Sequence, residues 1–357
     1  MAFRMRAATS SPELARVAKK PGAVPSLGLG PIANPSPLPT LFVSHGGPTF
    51  LYENDDFGNK GAWRTVRNLG KTITDVWQPD YIVVVSAHWQ SSGSNLIEVA
   101  VPPKSNAFGA DVGSSSKHQE DWMENPLIYD FYGFPDYMYK EKFRTWNSRF
   151  ISESITDHLE SCGFHAKLTE RGLDHGVWVP LKVAFPQPED NTMALPKTPL
   201  IQVSLTGLES DFATHARLGE VLAHFQNNKI WDPTQERHLQ GMVVCSGMSV
   251  HNLRDLGVAM NSGKKALPYV SEFGRLVSQA VQNGSQTLSS LNKLKTDYAT
   301  LLHKAHPTLE HFVPLVVAAG LNNASNNRPV SELYNDEQLS LGWGTFQFGE
   351  YPVKDEV

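Results

Sequence analysis

The apolar run YIVVVSA at residues 81–87 constrains the fold of this chain more than any other segment. Its β-branched residues follow one another without the alternation of apolar and polar residues that a strand with one face in water shows. The run is also far shorter than the roughly 18–20 apolar residues of a membrane-spanning helix. It therefore predicts a strand buried on both faces, which is typical of a parallel sheet covered by helices.

Strand-like and helix-like segments alternate along the rest of the chain. Further strands are predicted at residues 40–44, 96–100, 200–205 and 242–246, and helices at residues 63–74, 150–161, 212–227, 269–282 and 309–319. This alternation requires crossover connections and predicts an α/β fold with a largely parallel sheet. Repeated prolines at residues 185–199 remove backbone donors, so this segment is predicted to be a surface loop.

Residues 1–37 differ in composition from the rest of the chain. They carry five basic residues and one acidic residue, and they run into the Pro/Gly-rich segment PGAVPSLGLGPIANPSPLP at residues 21–39. A segment without periodic apolar residues buries little surface, so we expect a disordered N-terminal arm. With only Cys162 and Cys245, the chain has no disulfide framework. We expect a cytoplasmic protein, with a mitochondrial location as the alternative because the arm begins with basic residues.

The overall composition narrows the class of protein. Hydrophobic residues make up 40% of the 357 residues and charged residues 19%, as in ordinary globular proteins. The formal net charge of −5 gives no basic surface for nucleic acid, whose binding depends on clustered Lys and Arg. We therefore expect neither nucleic acid nor a membrane as a partner.

Two histidines follow predicted strands. His45 comes directly after the strand in LPTLFVSHGGPTF, and His88 comes directly after YIVVVSA. Ligands bind at the carboxyl ends of strands in open α/β sheets, so two imidazoles at that edge can share a site. Each histidine taken alone is more often a structural residue, but the matched pair favours a metal site.

A third histidine is predicted near the start of the helix in AHPTLEHFVPLVVAAG. Thr308 can cap this helix and Gly320 can end it, which places His311 in the first turn. Pro314 removes a backbone donor near the helix start. His306 lies just before the cap, so either His306 or His311 can be the third ligand.

Two more histidines are predicted in accessible loops. His175 stands between Asp174 and Gly176 in RGLDHGVWVPL, and His251 follows a strand in VVCSGMSVHNLRDL. With an ordinary pKa of about 6.5, imidazole takes up and releases protons at neutral pH. If the metal site exists, His175 and His251 are the candidate proton-transfer groups.

Taken in order, the segments SHGGP, SAHW, YDFYGFP, DHGVWVPL, SGMSVHNL and HPTLEHFVPL resemble the class III extradiol ring-cleaving dioxygenases, most closely the 4,5-DOPA dioxygenase branch. The resemblance implies one α/β domain over residues 38–357, with a mostly parallel or mixed central sheet flanked by helices on both faces. It also implies a catechol such as L-DOPA and O₂ as substrates, and a ring-opened semialdehyde as the product.

The resemblance further implies a role for each histidine. The metal ligands fall on His45, His88 and His311, which would hold a non-haem Fe(II), and His251 is the base and His175 the acid or oxygen-stabilising donor. A neutral set of three imidazoles also suits Zn(II), which is the alternative occupant of the site.

The third ligand departs from the wider class, which uses two histidines and one carboxylate. Glu310 is the nearest carboxylate, but adjacent residues of a helix point about 100° apart, so Glu310 and His311 cannot easily face one ion. Glu310 is predicted to support the helix N-terminus instead.

The segment NPLIYDFYGFPDYMY at residues 125–139 is dense in aromatic residues and lacks helical or strand periodicity. It predicts a packed loop, which is either a lid over the substrate ring or a loop that closes the core. Tyr132 in this segment and His118 upstream of it are candidate substrate contacts.

Two other functions stay open at this point. Three imidazoles with a nearby histidine base also suit a zinc-dependent hydrolase that activates water. A non-catalytic relative that binds a ligand is the second alternative, although a binding protein has no need of two proton-transfer groups beside three ligands.

Overall fold

The computed structural model describes residues 30–103 and 121–351. The strands are β1 (Ile32–Ala33), β2 (Thr40–Ser44), β3 (Tyr81–Gln90), β4 (Leu96–Val101), β5 (Trp122–Glu124), β6 (Trp146–Ser148), β7 (His165–Glu170), β8 (Leu200–Leu205), β9 (Asn228–Asp232), β10 (Arg237–Leu239), β11 (Gly241–Gly247), β12 (Val250–His251), β13 (Val330–Tyr334), β14 (Glu337–Gln338), β15 (Leu341–Gly342) and β16 (Thr345–Phe348). The α-helices are α1 (Lys60–Thr72), α2 (Arg149–Ser161), α3 (His175–Ala184), α4 (Phe212–Leu222), α5 (His224–Asn227), α6 (Leu256–Asn261), α7 (Pro268–Val281), α8 (Thr287–Thr296), α9 (Ala299–Ala305) and α10 (Val313–Ala324).

The central sheet has eight strands in the order β13-β16-β2-β11-β3-β8-β4-β7. Strands β2, β11, β3 and β8 run parallel to one another, whereas β16 is antiparallel to β2 and β4 is antiparallel to β8. The predicted α/β fold with a mixed sheet is confirmed. Because β2, β11 and β3 are parallel neighbours, their carboxyl ends lie side by side at one edge of the sheet.

Alternate residues of β3 face two different apolar layers. Val83 and Val85 pack in the layer that contains α4 and α10, whereas Ile82 and Val84 pack in the layer that contains α1 and α3. All four side chains are at most 1% exposed. Burial on both sides explains why the run lacks polar residues, and helices flank both faces of the sheet as predicted.

Most predicted elements are present, some with shifted ends. Strands β2 and β8 have the predicted bounds, but β3 continues past His88 to Gln90. The first helix starts earlier than predicted, at Lys60, and is followed by one turn of π-helix. The helix predicted at residues 212–227 divides at Ala223 into α4 and α5.

The helix predicted at residues 309–319, with Thr308 as its cap, is wrong at both ends. Helix α10 begins at Val313, because Pro314 has no backbone N–H and a φ that suits the first helical turn. It continues past Gly320, where a Cβ atom would overlap the carbonyl oxygen of Ala216 in α4. Gly320 therefore permits close packing of two helices and does not end one.

The prediction of a disordered arm at residues 1–37 concerns two parts of the chain. Residues 1–29 lie outside the described residues, but for residues 30–37 the prediction needs correction. Strand β1 pairs antiparallel with β9, and Asn34 Nδ2 donates to the carbonyl oxygen of Gln226 at 3.1 Å. Pairing with another strand supplies order that the composition of the segment does not reveal. Elsewhere, Cys162 and Cys245 are free thiols, and no helix among the described residues has the length and apolar character to cross a membrane.

Candidate active site

His45 is the first residue after β2, and the end of β11 fixes its position. Its backbone N–H donates to the carbonyl oxygen of Gly247 at 3.0 Å. The next residue, Gly46, has a φ of +60°, and a Cβ atom there would lie 2.5 Å from the Trp343 ring. Glycine fits this close approach, so the chain turns away from the sheet directly after His45.

His88 and His311 reach the same edge from different elements. His88 lies near the end of β3, and its backbone N–H donates to Ser86 Oγ at 3.1 Å. His311 precedes α10, and its carbonyl oxygen accepts the Met248 N–H at 2.9 Å, directly after β11. A side chain at Gly247 would overlap that carbonyl oxygen, so a glycine at the end of β11 lets the His311 segment lie against the sheet.

His88 Nε2 approaches the Nε2 atoms of the other two histidines. His88 Nε2 lies 3.1 Å from His45 Nε2 and 3.2 Å from His311 Nε2. Burial lowers the pKa of His88 to about 3, and it lowers the pKa values of His45 and His311 well below the ordinary value. The three rings are therefore neutral at neutral pH, which is the state in which imidazole binds a metal ion.

The Nδ1 atoms of two of these rings have acceptors. His45 Nδ1 lies 3.0 Å from Ser246 Oγ, whose own proton is donated to the carbonyl oxygen of Gly176. His311 Nδ1 lies 2.9 Å from Glu310 Oε1. These acceptors place the ring proton on Nδ1 and leave each Nε2 lone pair free.

The donor set fits a divalent metal ion. Imidazole nitrogens about 2.0–2.1 Å from one ion, at angles of about 90–109°, stand about 2.8–3.4 Å apart. The two separations of 3.1 Å and 3.2 Å fall in this interval. Possible ligand atoms within 4.8 Å of one another also form two separate groups, one of His45, His88 and His175 and the other of His251, Glu310 and His311.

His175 lies beside the candidate ligands, with its ring centroid 3.9 Å from that of His88. Its Nδ1 is 2.9 Å from Asp130 Oδ1, a close electrostatic contact, and Asp130 Oδ2 is 3.6 Å from His88 Nδ1. The predicted loop position of His175 is wrong, because Asp174 occupies the N-cap and His175 is the first residue of α3. A helix start holds the imidazole more rigidly than a loop does.

The predicted loop position of His251 is also wrong, because His251 belongs to β12, which pairs with β15. Its ring stacks on that of His311, with 3.6 Å between the centroids. Burial lowers the pKa of His251 to about 4, although Glu310 acts in the opposite direction. A neutral imidazole beside the candidate ligands is able to accept a proton from a bound molecule.

Glu310 and His306 differ from the predictions made for them. Glu310 does not support a helix N-terminus, because α10 begins three residues later and its carboxylate contacts His311 instead. His306 is fully buried, and its Nε2 lies 3.0 Å from the carbonyl oxygen of Ser249. Because that nitrogen already has a partner, the geometry favours His311 over His306 as the third ligand.

The aromatic segment at residues 125–139 packs against α3 next to the histidines. The rings of Phe131 and His175 meet edge to face, with 5.9 Å between their centroids. Tyr132, the candidate substrate contact, is 88% exposed, so its neighbour Phe131 is the residue that lies at the site. His118 lies outside the described residues, and its role stays a prediction.

Two residues of the site received no role from the sequence. Ser246 is the acceptor for His45, and Asp130 contacts both His175 and His88. Ser246 is a polar residue late in a buried strand, and Asp130 stands among the aromatic residues of YDFYGFP, which is an unusual place for a carboxylate. These sequence positions are the features that could have indicated a role for the two residues.

Comparison with known proteins agrees with the geometry. The family model described as the catalytic LigB subunit of aromatic ring-opening dioxygenase matches residues 39–341. A Schizosaccharomyces pombe protein named 4,5-DOPA dioxygenase extradiol-like protein is 32% identical over 317 residues, covering 85% of this chain and 92% of that protein. A Beta vulgaris protein named 4,5-DOPA dioxygenase extradiol is 27% identical over 316 residues, covering 87% of this chain and 95% of that protein.

A solved structure shares the fold. The crystal structure of an uncharacterised Escherichia coli K12 protein superimposes with a TM-score of 0.56 at 22% identity, covering 87% of this chain and all of that chain. A family match over most of the chain establishes the family to which the chain belongs. The chain belongs to the LigB family of class III extradiol, aromatic ring-opening dioxygenases.

Proposed function

We propose that this family member cleaves a catechol such as L-DOPA beside its diol, adding both atoms of O₂ to give a ring-opened semialdehyde. The observation that carries the proposal is the approach of His88 Nε2 to the Nε2 atoms of both His45 and His311. Two further histidines, His175 and His251, lie against these rings and are available for proton transfer. A site with five imidazoles suits a reaction that needs both a metal ion and proton transfer.

His45, His88 and His311 would hold Fe(II) through their Nε2 atoms. When bound, the ion supplies positions for the two catechol oxygens and for O₂, and it lowers the pKa of the phenol groups. Ser246 and Glu310 keep the rings of His45 and His311 in the ligand orientation. Zn(II) fits the same neutral donor set, and we expect it to bind without supporting ring cleavage.

The remaining histidines would move protons. His251 is neutral at neutral pH because burial lowers its pKa to about 4, so it serves as the base that takes a proton from the catechol. His175, whose Nδ1 lies 2.9 Å from Asp130 Oδ1, serves as the acid. Phe131, packed edge-on against His175, helps to exclude water from the ring-binding side of the site.

The test is anaerobic reconstitution of metal-free protein with Fe(II), followed by oxygen uptake against L-DOPA, caffeate and unsubstituted catechol. We expect one O₂ consumed for each catechol and a yellow semialdehyde product. The zinc-loaded protein and the His45→Ala variant are the controls, and neither should consume oxygen. Zinc-dependent ester or amide cleavage without oxygen uptake would support the hydrolase alternative and contradict the proposal.

A further inference from the structure

Asp130 lies between a candidate metal ligand and a candidate proton-transfer group. Its Oδ1 is 2.9 Å from His175 Nδ1, and the same oxygen accepts the backbone N–H of His175 at 2.9 Å. Its Oδ2 is 3.6 Å from His88 Nδ1. One carboxylate therefore contacts the Nδ1 side of two imidazoles that lie 3.9 Å apart, measured between ring centroids.

The start of α3 fixes the place of this carboxylate. Asp174 occupies the N-cap, but its side chain accepts hydrogen bonds from Ser86 and Gln202 and none from the helix. The backbone N–H of His175, the first residue of α3, is bonded to Asp130 instead. The positive end of the helix dipole also favours a charged carboxylate at this position.

The segment that carries Asp130 is anchored on both sides of the contact. The Ile128 N–H donates to the carbonyl oxygen of Leu173 at 2.8 Å, and Trp178 Nε1 donates to the carbonyl oxygen of Ile128 at 3.0 Å. The Asp130 side chain is 24% exposed, so protein atoms cover most of it. Its position is thus set by the fold and does not depend on a bound molecule.

We infer that Asp130 is a positioning residue that holds His175 in the tautomer with its proton on Nδ1, so that Nε2 is the nitrogen that exchanges a proton with the substrate. This inference rests on the proposed function, because that function gives His175 its catalytic role. A carboxylate at Nδ1 selects this tautomer in the Ser-His-Asp triad, where its loss leaves the wrong ring nitrogen protonated. Free imidazole prefers a proton on Nε2, so the selection needs a negative charge close to Nδ1, and Asp130 Oδ1 lies 2.9 Å from that atom.

The test reads the tautomer directly. Histidine is labelled with nitrogen-15 in the zinc-loaded protein, which is diamagnetic, and the His175 signals are assigned by their loss in His175→Asn. We expect a proton on Nδ1 in the unmodified chain and a shift towards a proton on Nε2 in Asp130→Asn and Asp130→Ala. Asp130→Asn keeps an oxygen for the backbone N–H and so guards against loss of the fold.

The matched control is Asp136→Asn, because Asp136 is an exposed carboxylate of the same segment. It should leave the His175 tautomer unchanged. In the iron-loaded protein, Asp130→Asn should lower kcat about 10–100-fold, with KM for the catechol and metal content within about twofold of the unmodified chain. Persistence of the Nδ1 proton in both Asp130 variants, or a loss of kcat fully explained by lost metal, overturns the inference.

The two proposals fail in different ways. If no catechol is cleaved but the tautomer shifts in the Asp130 variants, the proposed function is wrong and the positioning role of Asp130 stands. If catechol is cleaved and the tautomer does not depend on Asp130, the proposed function stands and the positioning role is wrong.

Discussion

The imidazole rings of His251 and His311 stack with 3.6 Å between their centroids and 16° between their planes. The contact is made by the faces of the rings, so it does not occupy the nitrogens of His251. His251 is therefore close to the proposed metal ligands without being needed to complete their set.

Replacing His251 with Asn should separate proton transfer from metal binding. We expect this variant to keep most of its iron and to turn over about 10²–10⁴-fold more slowly, which is the usual contribution of a positioned acid or base. His45→Ala should lose the metal and all activity. Metal analysis and oxygen uptake on the same samples measure both effects, and loss of iron from His251→Asn as complete as from His45→Ala would contradict the assignment.

Ser246→Ala should weaken metal binding. Without Ser246 Oγ, the Nδ1 proton of His45 loses its acceptor, so the ring is free to rotate and to change tautomer. Loss of such an outer partner usually costs about 10–100-fold in metal affinity or activity. Competition with a fluorescent zinc chelator measures the affinity, and the exposed Ser289→Ala is the control. Equal zinc affinity in the two variants would show that Ser246 does not orient His45.

Gly247→Ala should destabilise the fold and displace His311. A Cβ atom at this position would overlap the carbonyl oxygen of His311, so the two segments must move apart. Overpacking of this kind costs about 1–3 kcal/mol in the free energy of unfolding. Gly257→Ala is the matched control, because a Cβ atom at Gly257 would meet nothing within 4 Å. Urea unfolding of the metal-free proteins decides the point, and equal midpoints would contradict the close approach.

Zinc should raise the melting temperature of the metal-free protein. An ion that binds only the folded state adds about 2.7 kcal/mol of stability at 100 times its dissociation constant. The shift should disappear in His88→Ala, because His88 Nε2 lies 3.1 Å from His45 Nε2 and 3.2 Å from His311 Nε2. Differential scanning fluorimetry with and without a chelator measures it. An undiminished shift in His88→Ala would place the metal elsewhere.

The metal-free protein should lose stability as the pH falls below about 6.5. Burial lowers the pKa of His88 and of His306 to about 3 and that of His251 to about 4. These rings stay neutral in the folded chain while the unfolded chain takes up protons, so each costs up to about 1.4 kcal/mol per pH unit below that point. Urea unfolding between about pH 7.5 and 5 tests this. His306→Gln should reduce the slope, and a free energy of unfolding that does not change with pH would contradict the argument.

The helices and strands were predictable where burial restricts which residue types the segment contains. Burial on both faces of the sheet accounts for the unbroken β-branched run of β3, whose alternate side chains pack in the two apolar layers. The start of α10 was not predicted, because Thr308 and Pro314 both signal a helix start and the sequence does not rank them. Pairing of β1 with β9 was also hidden, since two backbone hydrogen-bonding partners far apart in sequence leave no local pattern.

The histidines of the site were predictable in kind and only partly in geometry. His45 and His88 could be paired because both follow central strands of a parallel sheet. The choice between His306 and His311 depends on the hydrogen bond from His306 to Ser249, which only the folded chain shows. The contact between Asp130 and His175 likewise depends on where the aromatic segment docks on α3.

The order of the histidines along the chain has a consequence for how the protein is made. His45 and His88 are 43 residues apart, but His88 and His311 are separated by 223 residues. A nascent chain that has emerged from the ribosome only as far as the central strands offers two of the three proposed imidazoles. With this proposed ligand set, metal capture would be a late event of biosynthesis, and a chain released before residue 311 would have no complete site to load.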